Sequence, residues 1–103
     1  MPTLDGSSVK KLIVACDAGM GSSLMLAATL KKQLKKAGVS VEHSAVVDIP
    51  SDADVVITQN NLAARARDVV GDDTPVIPFQ LFLGDPAVTR VVEAIQEGRS
   101  IDF

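Results

Sequence analysis

The sequence predicts an α/β domain built on a four-stranded parallel sheet with helices on both faces, a three-layer, Rossmann-like arrangement. Three observations predict it. Short apolar runs alternate with helix-length amphipathic segments in the order β-α-β-β-α-β-α. The first apolar run leads straight into a glycine-rich turn that opens a helix. The chain has 103 residues, 47% of them hydrophobic, enough for one core, since domains typically run ~100–150 residues.

Each element has its own signal. Met1 to Ser8 is polar and reads as a flexible tail, leaving 9–103 as the single folded domain. Val9 to Ala15 ends in a continuous apolar run, the mark of a strand buried on both faces. Leu24 to Ala37 is rich in helix formers and stops at Gly38. At ~100° per residue, Leu26, Ala27, Leu30, Leu34 and Ala37 share one face, and Lys31, Lys32, Lys35 and Lys36 the opposite, solvated one.

Val39 to Val47 alternates like a strand at the flank of the sheet, and Asp54 to Thr58 is a short buried strand. Gln59-Asn60-Asn61 opens a helix that packs through Leu62, Ala63, Ala66 and Val69. Val76 to Phe79 is the fourth strand, with proline at its margin. Asp85 and Pro86 then supply an N-cap acid and an N1 proline for a last helix, which packs through Val88, Val91, Val92 and Ile95.

Composition removes several function classes. Thirteen acidic against 10 basic side chains give a net charge of −3, so no global field gathers polyanions. With 3 phenylalanines and no Trp or Tyr, there is little to stack nucleic-acid bases, and no nucleic-acid partner is expected. One cysteine and one histidine cannot build an internal disulfide or a Cys-based metal cage, so a reducing compartment and no metal are expected. No run approaches the length of a membrane span or a signal peptide, and the chain reads as cytoplasmic.

Chemistry is expected beyond the carboxyl ends of the strands, where Cys16 stands. A thiol facing the free amides at a helix start is in a setting that favours thiolate. Gly19 and Gly21 let backbone N–H groups turn inward, and Ser22 and Ser23 add hydroxyls. Cys16 therefore reads as a nucleophile, and Asp17, Ala18, Gly19, Met20, Gly21, Ser22 and Ser23 as the loop that cradles a phosphoryl group. Asp17, an acid beside a phosphate, is expected to point outward or to bond a loop amide. Met20, Leu24 and Met25 fall off the aliphatic stripe and read as an apolar docking collar. His43, on a strand of mixed pattern, reads as a surface residue whose replacement is silent.

Nucleotide readings fail: no lysine follows Gly21 as a P-loop needs, and Leu24 stands where a dinucleotide fingerprint needs glycine. A bland reading makes Cys16 a small buried hydrophobe in a non-catalytic docking or regulatory module.

The segment Cys16-Asp-Ala-Gly-Met-Gly-Ser-Ser23 after a short aliphatic strand resembles the phosphocysteine loop of the mannitol-type enzyme IIB component of the bacterial sugar phosphotransferase system. Asp52-Ala-Asp-Val-Val-Ile-Thr58 resembles that family's third-strand segment, and Phe82-Leu83 with Pro86 the segment before its last helix. The chain departs from the family's pattern at Gln59-Asn60-Asn61 and at Leu81. The resemblance implies a phosphotransferase. Cys16 takes phosphate from a phosphohistidine on an enzyme IIA component and passes it, without a cofactor, to a sugar such as mannitol held by the membrane enzyme IIC component. It places the chain at the inner face of the membrane through IIC. The rival enzyme is a low-molecular-weight tyrosine phosphatase, with a Cys-x5-Arg-Ser loop and an Asp-Pro acid. Here Ser22 stands where the clamping arginine is needed, and Asp85 is explained as a helix cap.

Overall fold

The structure is a computed structural model that describes residues 3–16, 22–71, 74–80 and 86–102. In chain order the elements are β1 (Thr3–Asp5), β2 (Lys11–Cys16), α1 (Ser22–Leu34), β3 (Ser40–Ala45), β4 (Val55–Gln59), α2 (Ala63–Val70), β5 (Val76–Phe79), α3 (Pro86–Glu97) and β6 (Ser100–Asp102). Four strands form a parallel sheet in the order β3-β2-β4-β5. The expected α/β sheet is the one observed.

The order explains the sequence pattern. β2 lies between β3 and β4, so Leu12 to Cys16 are all buried and the strand must be apolar on both sides. β5 is an edge strand, which is why Pro78 is tolerated within it. On one face Leu12, Val14, Val41, Val55, Ile57, Ile77 and Phe79 pack against Leu26, Leu30 and Leu34 of α1 and Val88, Val91, Val92 and Ile95 of α3. On the other, Ile13, Ala15, Val56 and Val76 meet Ala63 and Ala66 of α2, with Leu62 just before it. Three layers result.

Two expected core positions differ. Ala37 is exposed, because α1 ends at Leu34 and a 3-10 turn, Lys35–Ala37, tightens the winding and rotates it off the stripe. Gly38 then ends the turn at φ 74, a left-handed conformation that a Cβ disfavours. In α2 the 3-10 turn Asn60–Leu62 resets the phase, so Val70 packs on the core and Val69 is exposed.

The polar lead-in also differs from the flexible tail expected of it. β1 pairs antiparallel with β6, Thr3 opposite Asp102 and Asp5 opposite Ser100. Gly6 is buried, and its N–H donates to the Arg99 carbonyl at 2.9 Å. The two ends of the chain are thus tied by backbone hydrogen bonds, which leave no hydrophobic pattern to read.

Candidate active site

Two polar side chains tie the central strand to its neighbour β4. At its start, the Asp54 carboxylate accepts the N–H groups of Lys10 at 2.8 Å and Lys11 at 2.9 Å. At its end, the hydroxyl of Thr58 donates to the Ala15 carbonyl at 2.9 Å. Thr58 is fully buried in a core that is otherwise apolar among the described residues. Its bond fixes the peptide immediately before Cys16.

Cys16 is the last residue of β2 and not the first of the loop, as the apolar run suggested. It alternates with Leu12 and Val14, so its thiol lies on the α1 side of the sheet. It is 7% exposed. In the parallel β2–β3 ladder Val14 pairs with His43 and Cys16 with Ala45, which puts the imidazole and the thiol on the same face. His43 Nε2 lies 3.1 Å from Cys16 Sγ, and the Ser44 carbonyl oxygen lies 3.8 Å from it. The reading of His43 as a surface residue is therefore corrected: it is half-buried and touches the candidate nucleophile.

Of the other expected site residues, Asp17, Ala18, Gly19, Met20 and Gly21 lie outside the described residues, as do the side chains of Ser22, Ser23 and Leu24. The backbone of α1 begins at Ser22, so its first turn follows Cys16 by the length of the expected loop. Met25, in that first turn, is 66% exposed. Asp85 and the Leu81 to Leu83 segment also fall outside.

The chain matches the family described as "PTS system, Lactose/Cellobiose specific IIB subunit" over residues 11–94. That span runs from the first residue of β2 to within α3 and takes in the whole parallel sheet. The chain belongs to the PTS IIB family.

Among individual relatives, this IIB domain is 45% identical over 82 residues to the PTS system mannitol-specific cryptic EIICB component of Escherichia coli (strain K12), covering 78% of this chain and 17% of the relative. It is 42% identical over 96 residues to the mannitol-specific EIICB component of Bacillus subtilis (strain 168), covering 91% of this chain and 20% of the relative. With the mannitol-specific EIICBA component of Escherichia coli (strain K12) it shares 52% identity over 67 residues, 62% of this chain and 10% of the relative. The chain thus spans a fifth or less of the length of these relatives, whose names join a IIB unit to a IIC unit.

Two residues that support the candidate site of this IIB domain are not evident from the sequence. Thr58 ended a buried strand without a visible partner, and His43 sat on a strand whose neighbour was unassigned. The signal that finds both is the parallel register, which sets Ala15 opposite Thr58 and Val14 opposite His43.

Proposed function

We propose that this IIB domain is a phosphoryl carrier. Cys16 accepts phosphate from a phosphohistidine of an enzyme IIA component and passes it to a sugar or sugar alcohol, mannitol or a close analogue, held by a membrane enzyme IIC component. The observation that carries this is the placement of the cysteine. In a chain of the IIB family, Cys16 ends an inner strand of the parallel sheet, and α1 begins six residues later. Carboxyl ends of parallel strands are where open α/β sheets bind ligands, and a following helix start offers unpaired N–H groups to an anion.

The roles follow from chemistry. Cys16 is the nucleophile, and the amides and hydroxyls of the loop from Asp17 to Ser23 take the phosphoryl oxygens. Met20, Leu24 and Met25 dock the protein partners, which matches the exposure of Met25. No metal or cofactor is called for, because the phosphate arrives already activated on the donor's imidazole. The mannitol-specific relatives favour mannitol as the substrate class, and the union of IIB with IIC in their names favours work at the inner face of the membrane.

Incubation with a phosphorylated IIA protein tests the reading. Intact mass should rise by one phosphoryl group, and Cys16→Ser should abolish the gain while changing stability by about 1 kcal/mol or less. Labelling that survives in Cys16→Ser would sink the assignment. A wild type that instead hydrolyses aryl phosphates at ~1 per second or faster is a phosphatase.

A further inference from the structure

We infer that His43 is the proton relay of Cys16, an acid–base partner that carries the thiol proton during phosphoryl transfer. The inference rests on the reading of Cys16 as phosphoryl acceptor and adds a second catalytic side chain to it. Its ground is the 3.1 Å contact between Sγ and Nε2, within the reach expected of a general base. The second neighbour of Sγ, the Ser44 carbonyl at 3.8 Å, is more distant and can only accept. A carbonyl can hold a thiol; it neither removes the proton nor stabilises the thiolate. Imidazole does both, since Nε2 accepts from S–H and, once protonated, donates to S⁻. His43 is the one histidine in the sequence, and among the described residues no other titratable side chain is within hydrogen-bonding distance of Sγ.

The fold holds the pair. His43 lies on β3 opposite Val14, two residues before Cys16 on the same face, so the ladder sets the ring beside the sulfur. In the accepting step, Nε2 takes the thiol proton, the sulfur forms the S–P bond, and the donor's P–N bond breaks with its electron pair on the donor nitrogen. The proton on His43 then passes to that nitrogen, so donor and carrier both end neutral apart from the phosphate. In the delivering step the sugar hydroxyl forms the O–P bond, the S–P electron pair returns to sulfur, and the hydroxyl's proton returns through His43 to the thiolate.

Two variants in the full chain test this against a phosphorylated IIA donor. His43→Gln keeps an amide N–H near the Nε2 position but cannot shuttle a proton, and His43→Ala removes the group. Both should still fold by circular dichroism and lose ~100-fold or more in the rate of phosphate uptake. Added free imidazole should raise the rate of His43→Ala by about tenfold and leave the wild type unchanged. Should the alanine variant fail to fold, the glutamine variant decides alone. Uptake within about twofold of wild type in His43→Gln, or a slow His43→Ala that imidazole does not rescue, overturns the relay and leaves Cys16 as acceptor. A wild type that takes up no phosphate overturns both readings together.

Discussion

The hydroxyl of Thr58 donates to the carbonyl of Ala15 at 2.9 Å, and Ala15 immediately precedes Cys16. The donor and acceptor are 43 residues apart in the chain yet opposite each other in the β2–β4 ladder. Thr58→Val keeps the shape and removes the donor. It should cost about 1–2 kcal/mol in urea unfolding, the size expected for a buried hydrogen bond lost on one side. Because the bond fixes the peptide next to the proposed nucleophile, phosphate uptake by Cys16 should also slow. Thr58→Ser restores the hydroxyl and should recover uptake more fully than stability. Equal uptake in the valine variant and the wild type would show that the peptide is held by the ladder alone.

Met25 is 66% exposed in the first turn of α1, on the side away from Leu26, Leu30 and Leu34. An exposed flexible apolar side chain suits docking of unlike partners. Met25→Ser should lower kcat/KM for a phosphorylated IIA donor by about tenfold, equivalent to ~1.4 kcal/mol of docking energy. Reaction of Cys16 with a small alkylating agent should be unaffected. A matching loss in alkylation would place the effect on the thiol's own surroundings.

What the sequence discloses is set by how local each signal is. β2 announces itself because burial on both faces demands an unbroken apolar run, and α3 because Val88, Val91, Val92 and Ile95 recur on one face. Cys16 stands out as a candidate because its glycine-rich context is contiguous. His43 is not. The alternation of Val39 to Val47 says which residues share a face of that strand but not which strand it joins or in what register, and only that register sets His43 beside Cys16. The β1–β6 pair is silent for a related reason: three-residue strands held by backbone bonds at opposite ends of the chain carry no side-chain periodicity.

Gly6 shows how closely that pair is fitted. A Cβ on this residue would run into the backbone carbonyl of Ala94 and press on that of Arg99. Ala94 is itself buried in α3, and its carbonyl accepts from the N–H of Arg99 at 2.9 Å, so the obstacle is fixed backbone. Gly6→Ala should therefore destabilise by about 3 kcal/mol through overpacking. Thermal unfolding measures it directly. Gly38→Ala serves as the contrast, because nothing lies near the added methyl and only its φ of 74 opposes the change, a cost nearer ~1 kcal/mol. If Gly6→Ala is the milder of the two, the lead-in does not pack on α3 as described.

Asp5 ends β1 and caps the turn that follows. Its carboxylate accepts the Ser7 hydroxyl at 2.6 Å, the Ser7 N–H at 3.0 Å and the Ser8 hydroxyl at 3.1 Å. These bonds, the one from the Ser7 hydroxyl first, favour the ionised form and hold the carboxyl below its ordinary value. A carboxyl depressed in the folded state stabilises wherever it is ionised in both states, that is, above the unfolded value of ~3.9. That contribution falls away as pH drops through the unfolded value and is gone below the folded one. Asp5→Asn keeps an acceptor oxygen but removes the charge, so it should lower the urea midpoint at pH 7 and have a smaller effect near pH 2. The carboxyl is exposed, so the difference should also shrink in high salt. A gap between the two proteins that is the same at both pH values would mean that the cap acts through geometry and not through charge.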